Sequence, residues 1–254
     1  MPLGAGMLDN IKLNPLNMTV ANLLEQIPLF SGMSQEDLER VAQHTQELVC
    51  EKGNFLFREG DKAEYLYVLL SGLAQMTARG PEGQQTVIEI LYPGDSVILA
   101  AVITGKRFLM SAEVVKSSRV LKIPGAQLIE LIRHGGDFGL SMVATISTQY
   151  RSMVRQVKNQ RLRTTAQRVA AFLLDLAYDQ GRGENRITLP HTKKMLAALL
   201  GMSQEGLSRT FTALREQGVL IDHKHVQIES IIKLRRFCGF SNKLDASDRI
   251  SPKE

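Results

Sequence analysis

The sequence predicts an α+β protein built from an N-terminal antiparallel β-roll (a jelly roll), a long dimerisation helix and a C-terminal winged helix-turn-helix domain. Three observations predict it. Residues 28–123 are cut by Gly-containing turns into short runs rich in β-branched and aromatic residues. An apolar seam at heptad spacing follows Gly135-Gly136, and two helical patterns joined only by Gly201-Met202 precede a small hairpin. The corresponding segments are an N-terminal extension (1–21), the β-roll (22–134), the long helix (135–161), the C-terminal domain (162–240) and a polar, non-periodic tail (241–254) expected to be disordered.

Composition limits the classes of function. With 254 residues, 44% of them hydrophobic, the chain can bury a sizeable core. No run approaches the ~18 apolar residues that a membrane-spanning helix needs. Residues 1–20 carry Lys12 as their one cation and no apolar h-region, which argues against a signal peptide. Cys50 and Cys238 are too few for an iron–sulfur cluster or a four-thiolate zinc site, and such sparse usage points to the reducing cytoplasm. The net charge of +5 is uneven: residues 1–134 hold 12 basic and 15 acidic side chains, whereas residues 158–240 hold 14 and 7. Any polyanion is therefore expected at the back half.

Within the roll, turns at Gly53, Gly60-Asp61, Ser71-Gly72, Gly80-Pro-Glu-Gly83 and Pro93-Gly-Asp95 separate strand patterns at 54–57, 65–70, 86–91 and 119–123. Many short strands at near-regular spacing close into an antiparallel barrel or roll. A helix over 34–45 precedes them, with Ser34 as N-cap and Asp37 completing a weakened capping box. Beyond the roll, Val143, Ile146, Tyr150, Met153 and Val157 alternate at spacings of three and four, with Gln160 in register. So narrow an a/d seam points to parallel self-association as a homodimer; packing on the helix's own domain is the alternative.

The C-terminal segment reads as a helix over 165–177, a strand at 187–189, helices over 192–200 and 203–217, and hairpin arms at 219–221 and 226–228. Leu196, Leu199, Leu200, Leu207, Phe211 and Leu214 would pack the helix pair, Gly201 permits φ > 0 in the turn, and Ser203 can cap the second helix. That leaves Gln204, Glu205, Ser208 and Arg209 on the exposed face of its first turns. A recognition helix reads bases from those positions: Glu accepts from cytosine N4, Arg donates bidentately to guanine, and Ser is permissive. An ordinary polar face with a Glu205/Arg209 pair is the plain alternative. The basic balance and the hairpin wing favour double-stranded DNA.

The order of these parts resembles the Crp/Fnr family of bacterial transcription regulators over roughly residues 22–230. The matching runs are Lys52-Gly-Asn-Phe-Leu-Phe-Arg-Glu-Gly-Asp61, Leu66-Tyr-Val-Leu-Leu-Ser-Gly72, Pro93-Gly-Asp95 and Leu200-Gly-Met-Ser-Gln-Glu-Gly-Leu-Ser-Arg209. Glu205, Ser208 and Arg209 fall on the Glu-x-x-Ser-Arg pattern of the Fnr-type branch, which implies a palindromic site with TTGAT-like half-sites. The resemblance also lends Thr192, Lys193, Lys194, His223 and Lys224 to phosphate contacts. It implies RNA polymerase as a partner and activation as the habitual outcome.

Family members that bind cyclic nucleotides carry a Glu for the ribose and an Arg for the phosphate. Here those positions fall on Leu99 and Met110. Losing the Arg removes a charge-assisted contact worth roughly 1.5–3 kcal/mol, which disfavours cyclic AMP; Arg107 would substitute only through a register shift. The remaining apolar segment, with Leu99, Val102, Ile103, Phe108 and Met110 at its centre and Val97, Ile98 and Leu109 beside them, reads either as an effector pocket or as roll core. In spacing and apolar character it is similar to the Dnr/Nnr subgroup, which responds to nitric oxide with haem as cofactor. Haem iron needs an axial donor, and His44, His134, Met110 and Pro2 are the candidates, none at diagnostic spacing. Another apolar ligand, no ligand, or thiol chemistry at Cys50 or Cys238 stay open. An enzyme is not expected: a cupin-like metal site needs His and carboxylates clustered on inward-facing strands, and of five histidines only His44 and His134 lie outside the C-terminal domain. An adaptor that touches RNA polymerase but not DNA is opposed by the chemistry of the recognition helix.

Overall fold

The computed structural model describes residues 19–135, 137–180 and 185–239. Pro2 and the tail at 241–254, with its expected disorder, lie outside them. The chain divides into two compact units, Met1–Val154 and Arg155–Glu254.

The first unit begins with α1 (Val20–Glu25), capped by Thr19, so the described fold already includes three residues, Thr19, Val20 and Ala21, of the segment read as an extension. In α2 (Gln35–His44), the Ser34 hydroxyl accepts from the Asp37 N–H at 3.2 Å and donates to its carboxylate at 2.9 Å, as the capping pattern predicts. The roll follows: β1 (Gln46–Cys50), β2 (Phe55–Phe57), β3 (Tyr65–Arg79), β4 (Gln85–Leu91), β5 (Ser96–Val97), then α3 (Leu99–Thr104) and β6 (Ser111–Pro124). All the strand pairs are antiparallel, in the order β1-β6-β3-β4, with β2 on β6 and β5 on β3. The expected α+β architecture is borne out. Two corrections concern extent: β3 and β6 run far past the residues 65–70 and 119–123 that local pattern marked, and β1 was not foreseen.

Gly72 shows why β3 stays paired through an irregular stretch. It has φ +94°, and the β3–β6 register shifts on both sides of it. The buried Ser118 hydroxyl accepts from Leu73 N–H at 3.1 Å and spans the irregularity. The core is aliphatic and aromatic, with Phe57 stacked on Phe108 at 3.7 Å and tilted against Tyr67 at 5.6 Å between ring centroids.

Two more helices close this unit, α4 (Gly125–His134) and the first part of α5 (Asp137–Leu162). Phe138 of α5 is buried and stacks on Phe30 at 5.8 Å, Met142 and Ile146 pack on the roll core, and Gln149 donates to the Ser96 carbonyl at 3.2 Å. The helix is thereby seated on the roll by one side only.

The second unit holds α6 (Thr165–Gln180), β7 (Arg186–Thr188), α7 (Lys193–Leu199), α8 (Gln204–Ala213), β8 (Val219–Asp222), β9 (His225–Ile228) and α9 (Ile231–Phe237). The apolar residues expected between the two central helices are in its core: Leu196, Leu207, Phe211 and Leu214 are buried, and Leu199 and Leu200 partly so. The strands form a three-stranded antiparallel sheet, β7-β9-β8. The second helix of the pair is shorter than expected, ending at Ala213 in a 3-10 turn and a left-handed Gly218, and α9 was not foreseen.

Candidate nucleic-acid interface and effector segment

The turn between α7 and α8 is built as its residues dictate. Gly201 has φ +66°, and Ser203 caps α8 by accepting from Gly206 N–H at 3.0 Å. With Leu207 and Phe211 turned into the core, Gln204, Glu205, Ser208 and Arg209 are all exposed on the first turns of α8. Lys193 and Lys194 are exposed on the first turn of α7. Thr192 is exposed too, but its hydroxyl already accepts from Met195 N–H at 3.3 Å as the α7 cap. His223 and Lys224 stand at the tip of the β8–β9 hairpin. The arrangement offers donors and acceptors for base edges on one helix face and cations on two flanking elements.

Sequence reasoning missed three features of the wing. His223 has φ +53°, and its Nδ1 lies 2.8 Å from the Asp222 carboxylate; that hydrogen bond and charge hold Asp222 below the usual carboxylate range. On the outer face of the sheet, Arg186, Arg215, Leu220, Asp222 and His225 line an open groove of about 630 Å³.

On α5, Val143, Tyr150, Met153 and Val157 are 55, 66, 61 and 46% exposed and form an apolar row that this chain leaves about half uncovered. Ile146 differs, being partly buried against the roll core.

The segment read as an effector pocket contains α3, reached through Ile98 at φ +48°, a left-handed conformation that a β-branched residue adopts only under strain. Leu99, Val102 and Phe108 are at most 2% exposed within the roll core, Ile103 and Met110 pack on that core from its margin, and Leu109 is 81% exposed. Arg107 is exposed and donates to the Gly60 carbonyl at 2.6 Å. Among the haem-donor candidates, His44 and His134 are exposed at helix ends, with His134 Nδ1 2.8 Å from the Glu130 carbonyl. Met110, itself part of the apolar segment, is the candidate that packs on the roll core, whereas the two histidines are exposed. No group of three metal-binding side chains occurs among the described residues. Burial pushes the Cys50 thiol up, and Cys238 up to about 12, as expected of unreactive thiols.

Just before this segment, partly buried Asp95 accepts from Tyr92 N–H at 2.8 Å. Burial pushes its carboxyl up to about 7, with the Tyr92 N–H opposing the rise and the Glu89 carboxylate adding to it. A carboxyl raised in the folded state favours folding while protonated. That contribution is full below about pH 4 and is lost as pH rises through about 7. Asp95→Asn keeps an acceptor for Tyr92. Thermal unfolding should therefore match wild type below about pH 4 and show a gain that grows with pH to on the order of 4 kcal/mol near pH 8. The same pH dependence in both proteins would refute the assignment.

Comparison with known proteins agrees with this geometry. Residues 47–134 match the cyclic nucleotide-binding domain, and residues 167–237 match the Crp-like helix-turn-helix domain. The nitrogen fixation regulation protein FixK of Azorhizobium caulinodans is 28% identical over 200 residues, covering 74% of this chain and 78% of that protein. The cyclic AMP receptor protein of Thermus thermophilus is 27% identical over 193 residues, covering 76% and 88%. A solved structure described as a putative cAMP-binding regulatory protein from Silicibacter pomeroyi shares 28% identity, covers 87% of this chain and 98% of its own, and superposes with a TM-score of 0.53.

A roll of the cyclic-nucleotide-binding type and a Crp-like reading head in one chain define a class: DNA-binding regulators of transcription. No helix among the described residues is long and apolar enough to cross a membrane. The chain belongs to the Crp/Fnr family of bacterial transcription regulators.

Proposed function

We propose that the protein acts in the cytoplasm as a homodimer that reads a palindromic site with TTGAT-like half-sites and activates transcription through RNA polymerase, under control of a signal taken by the β-roll. The observation that carries this reading is the exposed Glu205, Ser208 and Arg209 together on the first turns of α8. Two such helices related by a two-fold axis read half-sites about one helical turn, ~34 Å, apart. Arg209→Ala is expected to cost ~1–3 kcal/mol on the palindrome and to relax specificity at one base pair, whereas Lys193→Ala weakens palindromic and random duplexes alike. A titration of both variants against both duplexes tests it, and an equal loss on the two for Arg209→Ala would sink the base-reading role.

The effector we assign to the segment around Leu99 and Met110 is apolar. The ribose and phosphate positions of the family carry no charge here, and Arg107 is engaged by Gly60. Nitric oxide acting through haem is the second reading, favoured by the thioether of Met110 beside the apolar segment. A haem would supply the gas-binding metal there, and the Met110 thioether would be the described residue to hold it. Protein made in haem-replete cells should then show a Soret band that shifts with the gas. A colourless protein that takes up no haem rules that reading out and leaves the DNA reading intact.

A further inference from the structure

The β8–β9 hairpin turns through His223 and Lys224, between the cross-strand pair Asp222 and His225. His223 takes the left-handed conformation, φ +53°, that such a turn gives most readily to Gly or Asn. Burial does not offset this strain, since the His223 and Asp222 side chains are 92 and 90% exposed. An ion pair so exposed adds little to stability. A carboxylate on a wing that approaches a polyanion would ordinarily weaken the complex. A strained, exposed pair of this kind points to function.

Its geometry says which. Leu189 N–H donates to the Lys224 carbonyl at 2.7 Å and ties the turn to the body of the domain. The Asp222 carboxylate takes the hydrogen bond of His223 Nδ1 at 2.8 Å, which fixes the ring and leaves Nε2 at the far edge. A neutral imidazole that donates through Nδ1 can only accept at Nε2; the imidazolium donates at both. Bridging a carboxylate and a phosphate therefore requires the charged ring. We propose that Asp222 is a positioning residue for DNA: it holds His223 at the wing tip so that Nε2–H donates to a backbone phosphate, making this contact dependent on a proton. The other charged groups around the pair are His225 across the hairpin, Lys224 in the turn, and Arg186 and Arg215 along the adjoining groove. The proposal rests on the DNA reading above.

The test uses the full chain, a duplex carrying the TTGAT palindrome and a random duplex of equal length. Wild type should bind the palindrome about five- to ten-fold more weakly near pH 8 than near pH 6, beyond any change shared with His223→Asn. His223→Asn should lower the salt slope near pH 6 by about 1 while unfolding at no lower temperature, because Asn suits the left-handed turn. Asp222→Asn is decisive through its sign. Positioning predicts weaker binding near pH 7, whereas a spectator carboxylate predicts tighter binding. That second result, or a His223→Asn protein with the wild-type profile and slope, overturns the proposal. Wild type that binds both duplexes equally would instead overturn the DNA-site reading on which it stands.

Discussion

Met153→Asp is expected to leave a monomer whose affinity for the palindrome is lower by about 100-fold or more. Met153 is 61% exposed in the single chain and lies in an apolar row with Val143, Tyr150 and Val157, which are 55, 66 and 46% exposed. Covering such side chains stabilises an assembly by about 1.5–3 kcal/mol for each one fully buried, and placing an unpaired carboxylate among them costs several kcal/mol more. A two-fold interface counts each substitution twice, since the same patch is used on both subunits. Once the second reading head is no longer held near its half-site, the gain from linked binding disappears. Sedimentation would give the oligomeric state, and titration on full and half palindromes the affinity. Thr148→Asp, exposed and on the opposite side of the heptad, should remain dimeric. A dimeric Met153→Asp protein would refute the seam.

Gly72→Ala is expected to destabilise the β-roll by about 3 kcal/mol or more. Two causes add. At φ +94° a Cβ is strained wherever it points, and here it would lie 2.5 Å from the Ser117 carbonyl oxygen and 2.7 Å from the Ser118 Cα. Both are backbone atoms of β6, which cannot swing aside as a flexible side chain can. The shift would also disturb the Ser118 hydroxyl and its bond to Leu73 N–H. Gly83→Ala separates the causes: its φ is +82° but nothing lies within 4 Å of the added Cβ, so only strain of about 1 kcal/mol remains. Thermal unfolding of the two variants makes the comparison, and equal losses would show that the close approach at Gly72 is unimportant.

What was legible before any coordinates is mostly local chemistry. Ser34 and Ser203 sit before helices because their hydroxyls replace the missing acceptors of the first turn, and that preference is written in a few neighbouring residues. The signal for α9 was also local, with Ser230 as cap and a buried Leu234, but its seven residues are too few for periodicity to stand out. The reading head was legible because two helices and a Gly turn leave little choice as to which face is covered.

The effector segment was legible only as an apolar run. Phe108 and Leu109 are neighbours of similar hydrophobicity, yet one is 2% and the other 81% exposed. Nothing within a few residues distinguishes them; the stacking of Phe57 on Phe108 does. Likewise Ile98 carries no mark of a left-handed residue, and its conformation follows from the need to join β5 to a helix packed on the core.

The sequence by itself determined the two-part α+β plan, the helix caps and glycine turns, the exposed polar face of α8 and most of the exposed apolar row of α5. Each depends on spacing or on conformational preference over at most a few turns of chain. Only the tertiary structure decided the length and register of β3 and β6, the burial of Leu99 and Val102, the outward Arg107, and the strained turn that joins His223 to Asp222. These depend on partners such as Tyr65 with Pro124, far apart in the chain, and on which surfaces the rest of the fold leaves uncovered.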